Sequence, residues 1–344
     1  MSTRVAINGF GRIGRNFLRA AAEGGSALEI VAINDVSDPQ TLAQLFEYDS
    51  VYGRYPGAVS AEEDAIVVDG RRIEVLSQPD PGALPWERLE VDVVIESTGK
   101  FRTRMAAGEH LLDGARKVIL TAPIRGSEPA DADLVLGVNF DRVYDPEHHH
   151  IVTNASCTTN CLAPVAKVLH ETVGIESGLM TTIHSYTSDQ NLLDGAHKDL
   201  RRARAAALNL VPTSTGAARA LGLVIPELAG RLNGFAVRVP TPTGSIVDLS
   251  IEAQRTTSVE EINAAFRERA DTGELSGILA YSDAPLVSSD IIGSPFSSVF
   301  DAPLTQVVGG RQVKVIAWYD NEWGYSNRLV ELAERLLVRV PAGV

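Results

Sequence analysis

The sequence predicts an α/β chain in two parts: a parallel sheet covered by helices, then an α+β part with a mixed, largely antiparallel sheet. Three observations carry this. Short apolar runs alternate with helical patterns as far as about residue 155. A glycine-rich turn stands between the first run and the first helix. Beyond it the runs lengthen and gain β-branched residues.

Taken in order, Arg4-Val5-Ala6-Ile7-Asn8 reads as a buried strand and Ile13 to Ala22 as a helix. Leu28 to Asp35 is a second strand that ends on an acid, and Asp92 to Ser97 and Lys117 to Thr121 are further short strands. Helical patterns lie between them, including Arg104 to Gly114. That alternation implies a parallel sheet with both faces covered. In the later part, a helix over Thr158 to Val173 precedes strands at Met180 to Tyr186, Gly234 to Val239, Ile246 to Ala253 and Gln312 to Tyr319. Leu and Val at helical spacing over Ser326 to Val338 predict a closing helix. Neither an internal repeat nor a low-complexity linker is evident, so the two parts are expected to pack closely.

Composition narrows the function. The 344 residues are 44% hydrophobic and 22% charged, the balance of a soluble globular protein. No run approaches the roughly 20 apolar residues that span a bilayer, and Met1-Ser2-Thr3-Arg4 lacks the parts of a secretory signal. A cytoplasmic protein with no membrane partner is expected. A net charge of −13 argues against broad binding of nucleic acid. The only cysteines are Cys157 and Cys161, too few for a disulfide framework or a zinc site, so a reduced, reactive thiol is expected and no metal.

Gly9-Phe10-Gly11-Arg12-Ile13-Gly14 matches the dinucleotide fingerprint, in place between a strand and a helix. Gly9 permits the tight turn, Gly11 lets backbone approach a pyrophosphate, and Gly14 allows close packing of helix on strand. The helix start then favours the anion. Asp35 ends the next strand, where a carboxylate accepts from the 2′-hydroxyl of NAD and repels the 2′-phosphate of NADP. The first part is therefore expected to be a Rossmann dinucleotide-binding domain that favours NAD.

Ala155-Ser156-Cys157-Thr158-Thr159-Asn160-Cys161 opens the later helix. A thiol at a helix N-terminus feels the positive dipole end, which predicts a lowered pKa and a nucleophilic role for Cys157. Inert core filling is the plain alternative, and it suits Cys161, one turn further in. His184 ends an apolar strand and is a candidate base for the thiol, against the commoner structural histidine. His148-His149-His150 reads as a surface turn, because adjacent extended residues alternate faces and do not converge on a metal.

These blocks resemble the phosphorylating glyceraldehyde-3-phosphate dehydrogenases. The match runs through Ala6 to Arg15, Asn154 to Pro164, Asp199 to Ala207, Pro212 to Ala218 and Trp318 to Ser326, in family order along nearly the whole chain. The resemblance implies that Cys157 attacks the aldehyde to give a thiohemiacetal, with His184 activating the thiol and stabilising the oxyanion. Loss of hydride to NAD leaves a thioester, which inorganic phosphate attacks to release 1,3-bisphosphoglycerate. Thr187 and Arg238 match the site for the substrate's phosphate; Ser156, Thr158, Arg202, Thr215 and Gly216 match the remaining substrate and phosphate contacts. Arg202 has Arg201 as the adjacent alternative. Arg201, Arg202 and Arg204 otherwise read as a solvated basic face or a subunit interface. Arg12, Ile13 and Thr121 match cofactor contacts, and Asn321 matches the residue on the nicotinamide carboxamide.

The resemblance also implies a homotetramer and a domain division of residues 1–156, completed by 321–344, with a catalytic domain at 157–320. Two segments depart from the family pattern. Gly195-Ala196 stands where strictly NAD-dependent relatives carry a bulky residue and proline, which leaves room for some NADP use. Pro242-Thr243-Gly244-Ser245 differs from the commoner Asn-Val-Ser form, with no evident chemical consequence. Alternative readings are an erythrose-4-phosphate dehydrogenase and a non-catalytic relative that binds RNA or a protein partner. Intact Cys157 and His184 and the acidic balance argue against the latter.

Overall fold

The Arg4–Asn8 strand, with Val5, Ala6 and Ile7 wholly buried, lies inside a nine-stranded sheet of the computed structural model, which describes residues 2–337. Glu29–Asn34 and Val93–Glu96 flank it in parallel. Lys117–Leu120, Ile151–Thr153 and Ala132–Asp133 extend the parallel run on one side, and Arg71–Leu76 on the other. The expected strands are therefore present and parallel, their apolar runs buried on both faces.

Two features differ from expectation. Ala65–Val68 and Val59–Ala61 add an antiparallel edge. The cause is local: Asp69 and Gly70, at φ 49° and 77°, make the two-residue turn that matches the twist of a hairpin. The helix expected over Arg104 to Gly114 is shorter, running from Arg104 to Gly108 and tightening into a 3-10 turn at Glu109–Leu111. Gly108 and Gly114 both weaken helix propensity there.

The later sheet runs Val211–Ser214, Leu232–Val239, Ile175–Ser185, Ser245–Ala253, Gln312–Tyr319, Ser298–Asp301, Leu279–Ser282. Ile175–Ser185 pairs in parallel with Leu232–Val239, and Leu279–Ser282 with Ser298–Asp301; the other neighbours are antiparallel. This is the mixed, largely antiparallel sheet that the sequence predicts. The Cys157–Val173 helix that precedes it is buried along most of its length. The closing helix spans Trp323–Arg335, and Val338 with the rest of the segment expected to 344 lies outside the described residues.

Among the described residues the chain divides into two compact units, one of 2–134, 142–155 and 326–337, the other of 135–141 and 156–325. Residues 135–141 belong to the second because Gly137 seats there: Lys167 Nζ donates to its carbonyl at 3.0 Å, and a Cβ would lie 2.7 Å from the Glu274 carbonyl oxygen. No described helix is long and apolar enough to cross a membrane.

Candidate active site

In the first unit the three glycines of the turn meet three different demands. Gly9 has φ +93°, and a Cβ on it would lie 2.6 Å from the Thr98 amide nitrogen. Gly14 is pressed so close to the Gly9 carbonyl that a Cβ would meet it at 2.3 Å. Gly11 faces open space, and it caps the Arg12–Glu23 helix without a side chain to occupy the first-turn amides. An anion fits that exposed helix start. Beside it, a cleft of about 240 Å³ is lined by Gly9, Gly11, Asn34, Asp35, Gln78 and Thr98, among others.

Asp35 keeps one oxygen on the Phe10 amide at 2.8 Å and the other on the Ser37 amide at 3.0 Å. Each oxygen retains a lone pair, so the carboxylate is held by backbone yet able to accept a ribose hydroxyl. Arg12 and Ile13 open the helix; the Arg12 guanidinium pairs with Asp49 and lies over the Tyr52 ring. Thr121 is turned inward, its hydroxyl donating to the Glu96 carbonyl at 3.1 Å.

In the second unit Ser156 caps the Cys157–Val173 helix, its Oγ accepting from the Thr159 amide at 3.1 Å. Cys157 is the first helical residue, and Ala155 just before the cap holds φ +50°. That left-handed conformation costs a non-glycine residue about 1 kcal/mol or more. His184 stands at the end of the Ile175–Ser185 strand, where register sets it opposite Arg238. Its Nε2 is 3.4 Å from the Cys157 sulfur. Its Nδ1 lies 2.7 Å from the Ser185 carbonyl oxygen and 2.8 Å from Arg238 Nη1. Arg238 Nη1 has the same carbonyl at 2.9 Å and the Thr187 hydroxyl at 3.2 Å as acceptors for its protons. With Nδ1–H donating to Ser185, Nε2 is left as the acceptor that faces the thiol.

Burial pushes the Cys157 thiol pKa up, and the Arg238 charge and hydrogen bonds from Thr158 offset this only in part. The same burial, reinforced by Arg238, depresses His184 to about 3. Both shifts favour the uncharged form of each partner. The helix start alone predicts a lowered thiol; desolvation of the sulfur overrides it. Cys161 is wholly buried and its thiol is pushed up to about 12 by desolvation, as befits a structural cysteine.

A basic socket adjoins the thiol. Asp189 accepts from the Thr187 hydroxyl and from Arg202 Nη1, the latter at 2.5 Å. Partial desolvation raises the Asp189 pKa, but Thr187, Arg238 and Arg202 outweigh it and hold the carboxyl below its ordinary value. Arg202 also donates to Thr213 Oγ1 at 2.8 Å and to the Ser214 carbonyl at 3.2 Å, which ties it to the turn carrying Thr215 and Gly216. Gly216 caps the Ala217–Val224 helix with open space on its Cβ side. The Nε of Arg238 is buried and makes no hydrogen bond among the described residues. Arg201 is exposed instead, and Arg204 pairs with Asp194 on the surface.

Sequence reasoning missed several residues here. Tyr319 is wholly buried, bonds Thr158 at 2.9 Å and Thr182 at 2.8 Å through its hydroxyl, and sets its ring edge-on to His184. The Thr158 hydroxyl thus meets both Tyr319 and the Cys157 thiol. Asn321 Oδ1 accepts from Ser245 Oγ at 2.8 Å and Thr243 Oγ1 at 3.3 Å, so its amide nitrogen is the end left to face a ligand. The segment Thr243-Gly244-Ser245 thus holds the Asn321 oxygen, a contact the sequence reading did not draw. The signal was its pair of hydroxyl residues around a glycine at φ +86°. His148 pairs with Asp145 at the surface, His150 is exposed, and His149 accepts from the Asp145 amide.

Comparison with known proteins agrees with this geometry. Residues 3–104 match the profile of the glyceraldehyde 3-phosphate dehydrogenase NAD binding domain, and 156–321 that of its C-terminal domain. The chain is 62% identical over 333 residues to glyceraldehyde-3-phosphate dehydrogenase 2 of Streptomyces arenae, covering 97% of this chain and 98% of that one. It is 58% identical over 338 residues to the Mycobacterium avium enzyme of the same name (96% and 98%), and 56% over 333 residues to that of Geobacillus stearothermophilus (97% and 98%). The chain belongs to the glyceraldehyde-3-phosphate dehydrogenase family.

Proposed function

We propose that the protein oxidises D-glyceraldehyde 3-phosphate to 1,3-bisphosphoglycerate, with NAD as oxidant and inorganic phosphate as the final acyl acceptor. The observation that carries this is the Cys157 sulfur at a helix start, 3.4 Å from an imidazole whose other side faces Arg238.

His184 Nε2 takes the thiol proton as sulfur attacks the aldehyde carbon, which avoids a free resting thiolate in a desolvated site. The protonated imidazole then donates to the thiohemiacetal oxygen, and it takes that proton back as the hydride leaves carbon and the thioester carbonyl forms. NAD, held at the Gly9–Gly14 turn and by Asp35, supplies the hydride acceptor when bound. Thr121 and Asn321 serve the cofactor, and pinning of the Asn321 oxygen by Ser245 sets the face it offers the carboxamide. Thr187 and Arg238 receive the substrate's phosphate. Arg202, Ser156, Thr158, Thr215 and Gly216 attend the remaining contacts, including the phosphate that attacks the thioester. Cleavage of the C–S bond returns the sulfur to His184 for reprotonation.

On this reading the Gly9–Gly14 turn and Asp35 serve the nucleotide from a domain of residues 1–156 completed by 321–344, and Cys157, His184 and the phosphate contacts from Thr158 to Arg238 belong to a catalytic domain of 157–320. Asp35 favours NAD, while Gly195-Ala196, both exposed, leave room for some NADP turnover. A cytoplasmic homotetramer is the matching assembly, and sedimentation would report it. Replacing Cys157 with Ser is expected to abolish phosphate-dependent NADH formation while NAD binding persists. Normal turnover by that variant would end the covalent mechanism, and phosphate-independent oxidation of erythrose 4-phosphate would move the protein to another substrate.

A further inference from the structure

Away from the thiol, the first unit buries a chain of polar groups that no step above uses. Trp86 and His110 are both wholly buried, and Trp86 Nε1 donates to His110 Nδ1 at 3.1 Å. That bond fixes the tautomer: Nδ1 must accept, so the proton sits on Nε2. Nε2 in turn lies 3.2 Å from Glu96 Oε2, itself buried, and that oxygen also accepts from Asn8 Nδ2 at 2.5 Å. The other oxygen, Oε1, accepts from the Thr98 amide at 2.9 Å and from the Thr98 hydroxyl.

The chain continues past Asn8. Asn8 Oδ1 accepts from Asn34 Nδ2 at 2.7 Å, and Asn34 clamps Gln78 by accepting from its amide and donating to its carbonyl, each at 2.8 Å. Asn8, Asn34, Gln78 and Thr98 line the cleft next to Asp35, whereas His110 does not reach it. Thr98 is also the residue whose amide presses on Gly9. Two walls of the cleft therefore depend on where Glu96 points, and Glu96 is aimed from behind by His110.

We propose that His110 is a positioning residue for the nucleotide: through Glu96 it fixes the Thr98 and Asn8–Asn34–Gln78 walls that receive ADP-ribose. This rests on reading the cleft as the ADP-ribose seat. A fully buried polar relay is costly unless every member is satisfied, and its removal leaves Glu96 short of a donor. The wall then relaxes without any change at the thiol.

The test is calorimetric titration of the full-length protein with ADP-ribose, alongside steady-state kinetics. His110→Leu should bind ADP-ribose about tenfold more weakly, the effect of one hydrogen bond lost to a carboxylate, and raise KM for NAD similarly. Its kcat at saturating NAD should stay within about twofold of the parent. His110→Gln can still accept from Trp86 and donate to Glu96, so it should bind within about twofold of the parent. Should His110→Leu fail to fold, Trp86→Phe keeps the ring bulk and removes only the tautomer-fixing donor, with about threefold weaker binding expected. Gly11→Val reports on the cleft itself: normal ADP-ribose binding by this variant overturns the reading of the site. If Gly11→Val blocks binding while His110→Leu or Trp86→Phe binds as the parent does, the positioning role falls. It falls equally if Gln is no better than Leu.

Discussion

Arg238 Nη1 lies 2.8 Å from Nδ1 of His184, so a permanent cation stands behind the imidazole that faces Cys157. Burial first, and then this charge, hold His184 unprotonated down to about pH 3. The unfolded chain takes up a proton on the same ring near its ordinary value of about 6.5. Between those values the unfolded state binds more protons, so stability rises with pH and is lost as pH falls through the window. Thermal melts across that window should show a steeper acid loss for the parent than for His184→Gln. Arg238→Met should shrink the difference, because the repulsive charge is gone. Equal pH slopes in parent and His184→Gln would count against the depressed imidazole.

Arg202 and Arg201 are adjacent in sequence and opposite in placement. Arg202→Met removes donors to Asp189 and Thr213 and should raise KM for the phosphorylated aldehyde about tenfold or more, on the scale of a charge-assisted hydrogen bond. Arg201→Met should stay within about twofold. Initial rates against substrate concentration decide this, and the reverse ranking would move the socket by one residue.

Ser245 donates to the Asn321 oxygen at 2.8 Å and Thr243 at 3.3 Å, so the serine bond is the stronger clamp. Ser245→Ala is expected to let the carboxamide flip and lower the hydride-transfer rate about tenfold, with Thr243→Val having a smaller effect. Rapid-mixing absorbance of the first turnover reads that step directly. An unchanged first turnover in Ser245→Ala would remove Asn321 from ring orientation.

The glycines of the turn separate fold from ligand. Gly14→Ala drives a Cβ into the Gly9 carbonyl and should destabilise by about 1–3 kcal/mol in denaturant unfolding. Gly11→Ala points into open space and should leave stability unchanged while weakening NAD binding. If both variants unfold alike, the division of roles among the three glycines is wrong.

Features set by neighbours in sequence were legible in advance. The glycine turn, the helix start at Cys157 and the apolar strands each act through residues a few positions apart, and each lies where the sequence places it. The Asp69-Gly70 hairpin was equally local and carried the right turn residues, yet its short strands lacked a long apolar run. What the sequence could not carry was cross-sheet register. His184 and Arg238 meet because two distant strands pair in parallel, and Tyr319 reaches Thr158 from the far side of the chain. The sign of the Cys157 shift failed for a similar reason: a helix dipole is readable from one segment, whereas desolvation is the sum of everything packed around the sulfur. Arg202 is tied to Asp189 and Thr213 while Arg201 is exposed, a difference that adjacent positions in sequence do not carry.

Cys157, His184, Arg202 and Arg238 all fall within residues 156–325, while Gly9 to Gly14 and Asp35 belong to the other unit. Under the proposed mechanism, evolution, or an engineer, would therefore rewrite the adenosine-side preference by substitutions at Asp35 and its neighbours while leaving Cys157 and His184 untouched. Dinucleotide choice and acyl chemistry become separately adjustable traits.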